Sequence, residues 1–260
     1  MKEQPIGVFD SGIGGTSILK EIVKLLPNED YIYIADSANA PYGQKSADQI
    51  IELCKKNVDY LLAKDCKLIV VACNTATTNA IKVLRNTYKV PFIGIEPALK
   101  PAVLNTKNNI IGILATKGTL NSKLFAGKIS EYSQKTKIIE VIGKGLVELL
   151  EQGDFTSVKL RHLVAGYLEP MLVQEIDYLV LGCSHYPYLL PIIKDLVPKS
   201  IKIIDSGEAV AKQTVNILKI NNLLNTKNNK GKRVFYTNSE TSVIKSICKN
   251  FFLEYQIKNM

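Results

Sequence analysis

Nine short apolar runs recur along the chain, and most are apolar at every position rather than at alternate ones. They are Ile6–Phe9, Tyr31–Ala35, Leu68–Ala72, Phe92–Ile95, Ile110–Leu114, Ile138–Ile142, Tyr178–Gly182, Ile201–Ile204 and Arg233–Tyr236. A strand with one wet face alternates, whereas a strand covered on both faces reads as a continuous run. Helical patterns lie between them. Ile18, Leu19, Ile22, Val23, Leu25 and Leu26 make one apolar face within Ser17–Leu26, and Asp48–Leu62, Thr156–Val173 and Glu208–Ile220 behave likewise. Buried strands alternating with amphipathic helices predict an α/β fold with mostly parallel sheets, because parallel neighbours need a crossover long enough to hold a helix.

A chain of 260 residues can hold two such units, each with its own core. The first unit is expected to comprise residues 1–97 plus 208–260, and the second residues 98–207. The chain crosses between them near Pro97–Pro101 and again after Asp205-Ser206-Gly207. The Asn- and Lys-rich stretch from Asn221 to Lys232 reads as a loop leading into a last strand and a last helix. Weak similarity in letters but clear similarity in pattern predicts a pseudo-twofold between the units, with a site at their interface.

Composition narrows the setting. The longest apolar runs are strand-sized, short of the about 20 residues a membrane helix needs. The opening residues, Met1 to Asp10, carry no apolar segment of signal-peptide length. A cytoplasmic protein without membrane contact is expected. Five cysteines at irregular spacing make no disulfide framework, and Cys54, Cys66 and Cys248 read as small hydrophobes. The net charge is +9, but the lysines are scattered, with one dense group at Lys227, Lys230, Lys232 and Arg233. That pattern favours a solvated surface over a nucleic-acid site.

In parallel sheets ligands bind beyond the carboxyl ends of the strands. Short polar motifs stand at those ends: Asp10-Ser11-Gly12, Asp36-Ser37, Cys73-Asn74-Thr75, Ala115-Thr116-Lys117-Gly118-Thr119 and Cys183-Ser184-His185. The glycine-rich turn Gly12–Gly15 lacks the lysine of a nucleotide-phosphate loop and suits a small carboxylate better. Asp10 serves either the site or the cap of the following helix. Pro41-Tyr42-Gly43 could present backbone N–H groups to a ligand, or serve as a turn alone.

Cys73 and Cys183 occupy matching settings 110 residues apart, each closing an apolar run and opening a polar motif where a helix is expected to begin. A helix N-terminus favours a thiolate and lowers the thiol pKa. His185 could exchange a proton with Cys183. One such cysteine would suggest a nucleophile; two suggest an acid and a base on opposite faces of one carbon. Zinc bound by Cys73, Cys183 and His185 lacks a finger-type cysteine pair. A redox dithiol lacks the Cys-x-x-Cys spacing. Two structural cysteines would not need such similar flanks.

With these motifs in this order, the chain resembles the cofactor-independent aspartate/glutamate racemases, and among them those acting on glutamate. The resemblance runs through GVFDSGIGG, ADSANAPYG, LIVVACNTAT, GILATKGT, LVLGCSHYP and IDSGEA and covers nearly the whole chain. It implies Cys73 and Cys183 as the acid/base pair, with Asp10 supporting Cys73, and His185 and Glu151 supporting Cys183. It implies substrate contacts from Asp10, Ser11, Tyr42, Gly43, Asn74, Thr75, Thr116, Thr119, Ser184 and His185. It implies two α/β domains, a homodimer, no pyridoxal phosphate, no metal, and D-glutamate as a product destined for bacterial peptidoglycan. Two positions depart from the family pattern: Ser184 stands where threonine is usual, and Glu148 where proline is common. Racemisation of aspartate or another amino acid, and a nucleic-acid-binding regulatory protein, are the alternative functions.

Overall fold

A computed structural model describes residues 1–252 and 254–260. Its strands are β1 (Ile6–Asp10), β2 (Tyr31–Ala35), β3 (Leu68–Val71), β4 (Phe92–Gly94), β5 (Ile110–Ala115), β6 (Lys137–Ile142), β7 (Tyr178–Gly182), β8 (Lys202–Ile204), β9 (Arg233–Thr237) and β10 (Gln256–Asn259). They form two sheets, ordered β10-β9-β2-β1-β3-β4 and β6-β5-β7-β8. Every pairing is parallel.

The two orders contain the same plan. In β2-β1-β3-β4 and in β6-β5-β7-β8 the first strand of the unit lies between its second and third. Each sheet therefore reverses direction between its first and third strands, β1/β3 in one and β5/β7 in the other. Loops leaving the two central strands diverge to opposite faces there, which opens a crevice at the carboxyl ends. The motifs at Asp10, Cys73, Thr116 and Cys183 all emerge at these two switch points.

Helices cover both faces of the larger sheet. Helix Thr16–Leu25 buries Ile18, Leu19 and Ile22 against Ile6, Val8, Tyr31, Tyr33, Leu68 and Val70, and packs on helix Gly207–Ile220. Helices Ala47–Leu62 and Asn74–Thr87 cover the other face, burying Ile50, Val58, Leu61, Ile81 and Leu84 against Phe9, Ile34, Ile69 and Val71. In the smaller sheet, helix Val158–Leu172 lies over Leu114, Leu179 and Leu181. Its Pro170 sits in the last turn, where it does not break the helix.

Three expectations need amendment. The segment Gln256–Asn259 is a tenth strand although it has no apolar run; it is an edge strand that half-buries Ile257 and exposes its other residues. The crossing near Pro97–Pro101 contains a short helix, Leu99–Asn105. No α-helix begins at Cys183. A bend and a 3₁₀ turn (Tyr186–Leu189) precede helix Leu190–Leu196, because Pro187 and Pro191 lack the N–H groups that a continuous helix would need. Among the described residues no helix is long and apolar enough to cross a membrane.

Candidate active site

Cys73 is the N-cap of helix Asn74–Thr87, and its Sγ accepts from the Ala76 amide at 3.4 Å. The thiol lies 3.6 Å from Ser11 Oγ. These contacts favour the thiolate, as expected of a helix N-terminus. They are outweighed: burial, then the nearby charge of Asp10, push the Cys73 thiol well above the ordinary cysteine range. The lowered pKa expected from the helix end is thus overturned, because a thiolate there would be cut off from water. The charge of Cys183 acts in the same direction, so the two thiols lie close enough to feel each other.

Cys183 leaves β7 as Cys73 leaves β3, but its neighbour is an imidazole, His185 Nδ1 at 3.8 Å. On its other side His185 Nε2 meets Glu151 Oε1 at 2.5 Å. Burial alone would strip the proton from this ring. Cys183 and Glu151 win against burial and hold the His185 pKa well above the usual histidine value. Glu151 therefore reaches Cys183 through His185.

Glu151 also ties the halves together. It accepts from the Ile13 amide at 2.7 Å through Oε1 and from Ser37 Oγ at 2.7 Å through Oε2. The glycine-rich turn is shaped for this. A Cβ on Gly12 would fall 1.9 Å from Glu151 Oε1, and one on Gly14 would fall 2.2 Å from His185 Nδ1. The amides of Gly12 and Gly15 bond Asp10 Oδ2 at 3.3 and 3.0 Å. The turn expected to cradle a ligand's carboxylate thus spends these N–H groups on the protein's own carboxylates, Asp10 and Glu151.

Asp10 is fully buried at the end of β1. Its Oδ1 accepts from Ser184 Oγ at 3.1 Å, across the interface. Burial, opposed by His185 and by the Gly15 amide, leaves its carboxyl above the usual aspartate value. Its bond to Gly15, the N-cap residue of helix Thr16–Leu25, shows that Asp10 steadies the helix start as well as the site. Its influence on Cys73 is carried by its charge.

Thr75, Thr116 and Thr119 form a triangle of hydroxyls spanning the halves, with Oγ1 separations of 2.8, 3.2 and 3.0 Å. Gly43 packs against it; a Cβ there would lie 3.0 Å from Thr116 Cβ. Asn74 is 2% exposed, yet neither its Nδ2 nor its Oδ1 has a hydrogen-bond partner among the described residues. Buried amide atoms left open beside Cys73 are a place for a polar ligand, since an unsatisfied buried donor is costly. A cavity of about 1100 Å³ opens at Gly43, Thr116 and Gly118, lined from both halves. The Tyr42 ring is buried and its hydroxyl bonds Asp36; of the Tyr42–Gly43 pair expected to present backbone N–H groups, Gly43 lies at this cavity.

The fold thus brings to one interface two thiols, a charged relay beside one of them, open amide atoms and a cluster of hydroxyls. The family profile of Asp/Glu/hydantoin racemases matches residues 6–214. The chain belongs to that family. Among racemases of this family it is 46% identical to the glutamate racemase of Ectopseudomonas mendocina, over 86% of each chain. It is 42% identical to that of Pseudomonas putida strain F1, over 95% of this chain and 93% of the other. Among solved racemases it is similar to the Bacillus anthracis glutamate racemase RacE1, with a TM-score of 0.87 and 30% identity, covering 100% of this chain and 98% of that one. The Francisella tularensis glutamate racemase in complex with D-glutamate gives a TM-score of 0.84 at 30% identity, covering 100% and 98%.

Some members of this racemase site escaped sequence reasoning. Ser37 holds Glu151; Ser17 Oγ donates to the Ser184 carbonyl at 2.8 Å; Thr16 bonds Tyr188; and Asn79 Nδ2 donates to the Gly118 carbonyl at 3.1 Å. The only signal for Ser37 was its place at a strand end. The others look like ordinary helix residues until the halves are docked.

Proposed function

We propose that this racemase interconverts L- and D-glutamate by a two-base mechanism without a cofactor, with Cys73 and Cys183 as the bases. One cysteine, as thiolate, removes the Cα proton; the other, as thiol, returns a proton to the opposite face. The thiols exchange protonation states, so each direction starts from the form the other leaves. The observation that carries this is the placement of the thiols at equivalent ends of β3 and β7, on one interface of a duplicated sheet plan.

The Cα proton of an amino acid is a weak acid, so the carbanion must be stabilised by fixed dipoles and kept from water. Asn74, the Thr75–Thr116–Thr119 hydroxyls, Ser11 and the Tyr42–Gly43 backbone are the groups suited to hold the substrate's carboxylates. Asp10 and the His185–Glu151 pair support Cys73 and Cys183 respectively. The thiols are 4% and 7% exposed, so the halves must part to admit substrate and close for chemistry. The product would supply peptidoglycan synthesis. A cytoplasmic location suits five free, buried cysteines. A homodimer belongs to the same proposal and is read by sedimentation.

Turnover in deuterated water tests the proposal: both enantiomers of glutamate should gain solvent deuterium at Cα. Aspartate assayed alongside should turn over far more slowly. Inversion without deuterium uptake would exclude exchangeable thiol bases, and faster turnover of aspartate would reassign the substrate.

A further inference from the structure

Beyond the duplicated β2-β1-β3-β4 plan, the larger sheet carries two strands with no counterpart in the smaller one, β9 and β10. β9 pairs with β2 in a register that sets Thr237 against Ala35. The residues just past those two, Asn238 and Asp36, therefore meet. Asn238 Nδ2 donates to Asp36 Oδ1 at 2.5 Å, and Asn238 Oδ1 accepts from the Ala38 amide at 2.9 Å. Asn39 Nδ2 donates to the same Asp36 oxygen at 2.7 Å. The second oxygen of Asp36 takes the hydroxyl of Tyr42. That hydroxyl also accepts from Asn57 Nδ2 at 3.2 Å, from helix Ala47–Leu62.

Asp36, Tyr42 and Asn57 are 3%, 1% and 3% exposed, so this is a buried knot in which one carboxylate gathers three donors. What it holds is the loop from Ser37 to Gln44. At the far end of that loop, Gly43 lies against Thr116, and a Cβ added to Gly118 would fall 3.0 Å from Gly43 Cα. A side chain anchored from below, at Tyr42, sets the height and direction of the peptide that faces the hydroxyl triangle.

We infer that Asp36, Asn57 and Asn238 are positioning residues for substrate binding: acting through Tyr42, they fix the Tyr42–Gly43 backbone against Thr75, Thr116 and Thr119 so that it can receive a substrate carboxylate. This rests on the racemase function proposed above. It also gives β9 a role besides extending the sheet, since its carboxyl end delivers Asn238 to the knot. None of these groups moves a proton in the reaction, so the loss should fall on binding. The carboxylate received here is the one remote from Cα, whose charge does not change in the reaction, so the contact is made equally in ground and transition states and its loss raises KM while leaving kcat.

The test is a pair of variants, Tyr42→Phe and Asn238→Ala, assayed with L- and D-glutamate beside the wild-type protein. Tyr42→Phe keeps the buried ring and removes only the hydroxyl; Asn238 is exposed, so its truncation leaves the core intact. The expected result is a KM raised about tenfold for Tyr42→Phe and about threefold for Asn238→Ala, in both directions, with kcat within about threefold of wild type. Asn238→Gln, which keeps the amide, should recover part of the loss. A lowered melting temperature with KM unchanged in both variants would make the knot structural only and overturn the inference, as would a loss confined to kcat. Wild-type protein that fails to turn over either enantiomer would overturn the racemase proposal itself, and this inference with it.

Discussion

Around Cys73 the partners are a backbone amide and a hydroxyl, Ala76 N and Ser11 Oγ; around Cys183 the partner is the His185 ring, itself clamped by Glu151. The strands that deliver them are equivalent, but the local chemistry is not. At the Cys73 pole burial and the Asp10 charge keep the proton on sulfur. At the Cys183 pole a histidine held in its charged form stands next to the sulfur. Duplicating a sheet plan duplicated the placement of the thiols without duplicating what tunes them. The two-base scheme proposed above does not need matching poles, because each sulfur takes the proton in one direction and returns it in the other.

The largest effect expected from breaking the pair is loss of either thiol. Cys73→Ala and Cys183→Ala should each lower racemisation by at least about 10³-fold, the scale of a positioned acid or base. Each should still exchange solvent deuterium into one enantiomer, and not the same one. Near-wild-type turnover in both directions by either variant would end the two-base scheme. Mass spectrometry of recovered substrate reads both outcomes.

Next come changes confined to one pole. Gly14→Ala should displace the His185 ring, because the new methyl would fall 2.2 Å from Nδ1. Glu151→Gln removes the charge that holds the same ring. Both should reduce kcat about 10²-fold, and the two directions unequally. Equal losses in both directions would mean that the poles are not functionally distinct.

Stability should separate the poles by pH. The His185 pKa is raised in the folded protein, so its contribution is fully present below about pH 6.5, the unfolded value, and fades as pH rises through the folded value. Denaturant titration should show Glu151→Gln roughly 3 kcal/mol less stable near pH 6, with the gap narrowing at alkaline pH. A gap that widened with pH would have the wrong sign for a histidine pair.

The smallest effect is at Asp10. Burial leads the causes that raise its carboxyl above 3.8 in the folded protein, so stability linked to its proton is present below the unfolded value and lost as pH rises through the folded one. Asp10→Asn keeps the shape and removes the buried charge. It should match or exceed wild type in unfolding free energy at pH 7, by up to about 1 kcal/mol, and lose that advantage at pH 4. It should also shift the Cys73 limb of the pH–rate profile to lower pH, since the Asp10 charge helps raise that thiol.

Much of this could be read along the chain, because some information is local. Continuous apolar runs mark strands covered on both faces, and the ends of those runs mark where a parallel sheet binds ligands. The two thiols, Asn74, the threonines and His185 were all found that way. The exchange of carboxylates was not legible. The Gly12–Gly15 turn looks like an anion cradle in sequence, and only docking against residues 138 positions away shows that Glu151 occupies it. The inward turn of Tyr42 likewise depends on Asp36, and on Asn238 some 200 residues later.

The sequence by itself determined the α/β class, the strand ends where the polar motifs stand and the matching settings of Cys73 and Cys183, because periodicity and hydrophobicity act over a few residues. The tertiary structure alone decided the strand order that repeats in both halves, the β9–β10 extension, the clasp of Glu151 across the interface and the opposite electrostatic settings of Cys73 and Cys183. Those depend on burial and charge summed over residues brought together from distant parts of the chain, and no local pattern records that sum.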